Sequence, residues 1–192
     1  MVKNLVRASV TMAILGIFGI STSAAPAVDH SAGPDSREHP IRMTFSGSII
    51  PTTLVVQSNS ITDEELLAGH GSLGSFTFRK LRTDDTVPQS FGVCGSGVGP
   101  NLRVAAGGGV FRFEDGSLLT VVIAEGALCI DFDHMVGNLT ESYQITGGSG
   151  RFAGATGTLQ ATGTLHAVLF SASNAAVLLT NTGALTGTVR LP

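Results

Sequence analysis

Between Tyr143 and Leu169 the chain reads YQITGGSGRFAGATGTLQATGTLHAVL, and no other stretch restricts the fold as much. From Gly157 the odd positions carry Gly157, Leu159, Ala161, Gly163, Leu165, Ala167 and Leu169, while the even ones include Thr158, Gln160, Thr162, Thr164 and His166. A period of two belongs to an extended chain, whose successive side chains point to opposite faces. The segment is therefore a strand with one packed and one wet face. Threonine and repeated glycine are poor helix formers, and glycine inside a strand marks a bulge, a bend or a close backbone approach. Small residues on the packed face, Gly157, Ala161 and Gly163, mean either interior space or a sharply coiled strand of the kind found in closed barrels.

Gly148, Gly150 and Ala153 also fit the G-x-G-x-x-A spacing of a dinucleotide loop. That chemistry needs a helix directly afterwards, whose amide terminus receives the pyrophosphate. Gly154, Ala155, Thr156 and Gly157 would not sustain one, so Gly147, Gly148, Gly150, Arg151 and Phe152 are read as a structural corner. The arginine pins it through backbone carbonyls and the phenylalanine through burial.

The segment ITGGSGRFAGATGTL, residues 145–159, resembles the GGTGRFAGATG-type corner of bacterial allene-oxide-cyclase-like barrel proteins and is similar to the GGTGKF corner of plant dirigent proteins. VFRFEDGSLLTVVIAEGALCIDF, residues 110–132, resembles the hairpin that precedes this corner in the secreted bacterial members. The resemblance implies an eight-stranded antiparallel barrel with an apolar interior, trimeric in many of the plant proteins, and so a homo-oligomer here. It marks fold and not chemistry, since the active-site residues of those families match no positions in this chain.

The rest of the chain agrees with an all-β reading. Residues 1–27 have the form of an export signal: Lys3 and Arg7, then an apolar run from Ala8 to Ile20, then small residues with Ala25-x-Ala27 at the cleavage site. Ala24 and Ala25 are alternative sites. The apolar run is too short to span a membrane, and no second run of spanning length follows. Residues 28–40, polar and bracketed by Pro34 and Pro40, read as a flexible leader, and residues 41–192 as the barrel domain. Alternation begins at Ile41. Residues 62–67 read as a helical turn opening on Asp63 and Glu64, and 69–79 and 87–93 as strands. Residues 102–113 and 117–126 form a hairpin on Glu114-Asp115-Gly116, because Asp-Gly tolerates the positive φ of a tight turn. Alternation returns at 139–146 and again from Val177 to Leu191. About eight strands without a long helix make a single closed antiparallel barrel, with a β-sandwich as the alternative.

With 25 glycines, 13% charged residues and a net charge of −3, the chain lacks the clustered lysine and arginine of a nucleic-acid surface. His30, His39, His70, His134 and His166 are dispersed without zinc spacing, and no cofactor is expected. Asp131, Asp133 and His134 match no metal loop and are assigned to surface or loop. Cys94 and Cys129 are the only cysteines, and in an exported chain they are expected to pair.

Glu141 and Tyr143 share a strand face with Leu139 and Ile145, and Glu125 shares one with Leu119, Val121 and Ile123. A carboxylate on an apolar face either orients a ligand inside the barrel or sits at the solvated rim. The leading function is a secreted or periplasmic barrel that binds a small apolar ligand through Glu141 and Tyr143, with Glu125 third. The alternatives are an isomerase or cyclase acting by confinement, and a structural or surface-interaction protein with a filled barrel. N-terminal sequencing of the exported protein is expected to begin at Val28; an intact Met1 on that form would remove the signal reading.

Overall fold

The computed structural model describes residues 38–95, 97–173 and 175–192, so the predicted signal and residues 28–37 of the leader lie outside the described residues. Nine strands follow one another: β1 (Glu38–Pro51), β2 (Ser60–Gly71), β3 (Phe76–Asp85), β4 (Ser90–Cys94), β5 (Gly97–Phe113), β6 (Leu118–Asp131), β7 (Val136–Ser149), β8 (Thr156–Phe170) and β9 (Ala176–Arg190). Around the sheet the order is β3-β2-β1-β9-β8-β7-β6-β5, and pairing of β3 with β5 closes it. The result is a closed eight-stranded antiparallel barrel with one extra strand, β4, paired only to the first residues of β5. Closure leaves those eight strands without a free edge.

The interior follows the expected alternation. Ile41, Met43 and Phe45 of β1, Leu159, Ala161 and Leu165 of β8, and Leu185 and Val189 of β9 are all buried, while their even-numbered neighbours face out. The 114–116 hairpin forms as read, with Gly116 at φ +80°.

Four local readings change. Residues 62–67 belong to strand β2. Acidic residues favour helix starts, but here Asp63 and Glu65 point inward opposite Arg82 and Lys80 of β3, and cross-strand pairing overrides the local signal. The proposed strand 69–79 is broken by the turn at 72–75, where Gly74 takes φ +92°. Residues 87–93 supply only β4, outside the closed barrel. Glu38–Pro40 are part of β1, paired with Arg190, Val189 and Thr188, so the barrel begins three residues before Ile41.

The two ends of the barrel differ. At one end lie the turns 72–75 and 114–117 and the glycine corner, a single 3-10 turn at Gly150–Phe152. Phe152 is buried there against Phe113. Arg151 donates to the Leu73 carbonyl at 2.5 Å and lies over the Phe113 and Phe152 rings, 4.8 and 4.7 Å from their centroids. A side chain at Gly148 would stand 2.3 Å from the Leu118 carbonyl oxygen, so this approach of β7 to β6 requires glycine. At the other end, called the mouth below, lie the connections 52–59, 86–89, 132–135 and 171–175 and the β4–β5 hairpin.

A disulfide joins Cys94 of β4 to Cys129 of β6, with Cα atoms 5.3 Å apart and a sequence separation of 35. It ties the extra strand to the barrel across β5. Closing a loop of that length restrains the unfolded chain by about 4 kcal/mol. The double variant Cys94→Ala/Cys129→Ala is expected to lose roughly that much in urea denaturation, and thiol labelling of denatured, unreduced wild type is expected to find none free.

Candidate functional site

The interior has three layers. Nearest the corner is an aromatic and aliphatic cluster that includes Phe76, Phe78, Phe111, Phe113, Phe152 and Tyr143. Phe78 and Phe111 stack with ring centroids 3.8 Å apart. Nearest the mouth is a smaller cluster of Ile49, Val104, Leu128, Leu139 and Leu165. Between them the barrel buries charge.

That middle layer is built by alternation on four strands. Lys80 and Arg82 continue the inward face of β3 after Phe76 and Phe78; Asp84 follows beyond a register shift at Thr83/Asp84. Asp63 and Glu65 come from β2, Glu141 and Tyr143 from β7, and Asn181 from β9. The Lys80 ammonium contacts Glu141 Oε2 at 2.5 Å, the Tyr143 hydroxyl at 3.0 Å and Glu65 Oε1 at 3.3 Å. Tyr143 donates its hydroxyl to Glu141 Oε2. Arg82 reaches three carboxylates: Nη1 to Glu65 at 2.6 Å, Nη2 to Asp63 at 2.9 Å and Nε to Asp84 at 2.9 Å. Asn181 Nδ2 donates to Glu65 Oε2 at 3.1 Å. A Cβ at Gly163 would lie 2.5 Å from Asn181 Oδ1, so the small residue on this packed face makes room for the amide.

Four carboxylates thus share two cations, and the shortfall shows in their protonation. Burial pushes Asp84 up to about 6, against the pull of Arg82. Asp63 is raised for the same reason. Glu141 is also penalised by burial, but Lys80 and then Arg82 outweigh it and hold its pKa below the ordinary carboxylate value. Burial and then the Glu141 charge push the Tyr143 hydroxyl well up, which keeps it a donor. Burial works against the Arg82 charge, yet Glu65, Asp84, Glu141 and Asp63 together hold its pKa above the usual one.

Glu141 and Tyr143 therefore face the interior as expected, but they meet an internal ion network. Glu125 is a correction. The bulge between Ile123 and Glu125 sets it opposite Ser142 and turns it outward, where Ser142 Oγ donates to it at 3.3 Å. Bulges re-aim side chains in this way. Sequence reading missed Lys80, Arg82, Asp63, Glu65, Asp84 and Asn181. The signal was there for β3, since Phe76, Phe78, Lys80 and Arg82 alternate with Thr77, Arg79 and Leu81; for β2 the acidic run was taken as a helix start. Asp131, exposed-side His134 and their neighbours form a local turn, with His134 Nδ1 2.8 Å from Asp131 Oδ2.

Above the mouth cluster is a pocket of about 550 Å³ between the ends of β6, β7, β8 and β9. Its walls are Leu128, Ile130, Phe132, Met135, Val136, Gly137, Leu165, Ala167, Phe170, Ala175, Ala176 and Leu179, none of them polar. No side chain of the ion network lines it.

No family model and no curated protein matches the chain. Among solved structures it is similar to the pterocarpan synthase dirigent protein GePTS1, at 13% identity and a TM-score of 0.41 over 86% of this chain and 96% of that one.

The raised Asp84 pKa gives a pH dependence. Between the ordinary carboxylate value and about 6, the folded chain holds the proton while the unfolded chain has lost it, so this group's contribution to stability falls as pH rises through that window. Asn at the position does not titrate. Urea melts of Asp84→Asn and wild type are expected to shift in the variant's favour by up to about 3 kcal/mol between pH 4 and 7, at about 1.4 kcal/mol per pKa unit. Parallel pH profiles for the two proteins would contradict the assignment.

Proposed function

We propose that this chain is an exported barrel protein that holds a small apolar ligand in the pocket at its mouth. The observation that carries the reading is the wall of that pocket: twelve residues from four strand ends, enclosing about 550 Å³ without a polar side chain. The volume falls in the range of small-molecule sites, roughly 300–1,000 Å³. A wall that is mostly hydrocarbon and carries no polar side chain selects mainly by size and shape and disfavours groups that need solvation. The ligand class is therefore an uncharged, hydrocarbon-rich small molecule. Export rests on the signal-like residues 1–27, and the Cys94–Cys129 bridge suits an oxidising compartment.

Glu141 and Tyr143 take a different part in this reading from the one the sequence suggested. They contact Lys80 in the ion network and do not line the pocket. The isomerase or cyclase alternative is weaker, because an acid or base must come within hydrogen-bond reach of the reacting atoms and none lines this wall.

Titration with N-phenyl-1-naphthylamine, an apolar fluorescent probe, is expected to saturate at one site per chain. Ala176→Phe, which fills the pocket from the start of β9, is expected to abolish that signal and leave the melting temperature in place. Equal probe binding by wild type and variant would overturn the assignment of the site. Native mass spectrometry of protein from its own host then reads the ligand directly as an added mass on the wild type.

A further inference from the structure

Among the described residues, every large apolar side chain that is at least 60% exposed lies at the mouth end: Val55, Val87, Phe91, Val93, Val98 and Phe132. They sit on three separate stretches, the β1–β2 connection, the segment leading through the β4–β5 hairpin, and the β6–β7 connection. The charge distribution is the converse. Segments 52–59, 86–99, 132–135 and 171–175 contain Asp133 as their one Asp, Glu, Lys or Arg, whereas the turns of the corner end carry Glu114, Asp115 and Arg151. One end of the barrel is thus tipped with hydrocarbon and almost free of charge, and the other is solvated in the ordinary way.

We propose that the mouth end docks on the surface of a lipid bilayer, with these tips inserted among the acyl chains. Large apolar side chains gathered at one end of a barrel and left in water carry a solvation cost that a protein or membrane contact would relieve. Three features favour the bilayer over a protein partner. The tips are carried on separated connections, and fluid hydrocarbon accepts such an irregular outline, whereas a stable protein interface needs a shape-matched surface. The near absence of charge keeps the desolvation cost of insertion low. No lysine or arginine cluster surrounds them, so attraction comes from apolar burial and is expected on uncharged lipid, without an anionic headgroup. The pocket also opens among these tips, with Phe132 belonging to both. The docking surface stands apart from the ligand reading, since the tips are exposed whether or not the pocket is filled.

The chain contains no tryptophan, so a single introduced indole reports its own position. In the full chain, Phe91→Trp is expected to shift its emission to the blue on phosphatidylcholine vesicles and to lose intensity when the acyl chains are brominated. Glu114→Trp, at the far end of the barrel, is expected to do neither. Both proteins carry the same N-terminal segment, so any contribution of that segment is common to the two. Adding Val93→Asp to Phe91→Trp is expected to lower the vesicle partition about tenfold at an unchanged melting temperature. Emission at position 91 that ignores brominated lipid, or quenching equal at positions 91 and 114, would overturn the proposal. So would sedimentation showing that Val93→Asp dissolves a dimer or trimer while vesicle partition stays the same, which would assign the tips to a second copy of the chain.

Discussion

The barrel is held in register by charges it cannot afford to expose or to separate. Lys80 and Arg82 are buried at 2% and 0% relative exposure, and each is compensated only by carboxylates on other strands or beyond its own register shift. The Lys80–Glu141 contact joins β3 to β7 across the barrel, 61 residues apart in sequence. Replacing such a pair by apolar residues is often neutral for stability, whereas removing one partner is costly because the other charge is left buried. The network's effect is therefore on specificity. Because the side-chain period is two, a slip of one residue in β3 would turn Lys80 and Arg82 outward and bring Arg79 and Leu81 in, leaving one cation in place of two for the buried carboxylates.

Much else in the interior follows from where this layer sits. The larger apolar cluster lies on the corner side, where the stacked phenylalanines and the Arg151 clamp close the barrel. The smaller one lies on the mouth side, where strand ends diverge and leave the pocket. The charge layer lies between the two buried clusters, with half-buried Ile123 packing against both, and Leu128, Leu165 and Leu179 line the apolar space at the mouth.

Alternation made most of this fold legible in advance. β8 and most of β9 were readable from their pattern, because their inward residues, Asn181 excepted, are aliphatic or small and many of their outward ones threonine. β2 and the later part of β3 were not, since there the inward residues include Asp63, Glu65, Lys80 and Arg82. A reading that equates the packed face with apolar residues loses the strand where the packed face is ionic. The inward aim of Glu141 and Tyr143 was legible; their partner was not, because nothing local to β7 announces a lysine on β3. Glu125 failed for another reason. A bulge inserts one residue without a sequence signature as strong as a turn's, and it moves everything after it to the other face.

Donor and acceptor counting separates the two parts of the interior. Lys80 donates to Glu141 and Tyr143 and forms an ion pair with Glu65; the Tyr143 hydroxyl gives its one proton to Glu141. The buried side-chain atoms of this network left without any hydrogen bond are all acceptors: Asp84 Oδ1, Glu141 Oε1 and Asn181 Oδ1. A group that joined it would have to bring hydrogen-bond donors and would find an excess of negative charge. An apolar molecule brings neither, and it gains nothing by leaving the hydrocarbon wall at the mouth for this layer. The ion network and the apolar pocket are thus separate parts of one interior, the first closed on itself by charge and the second lined by apolar side chains.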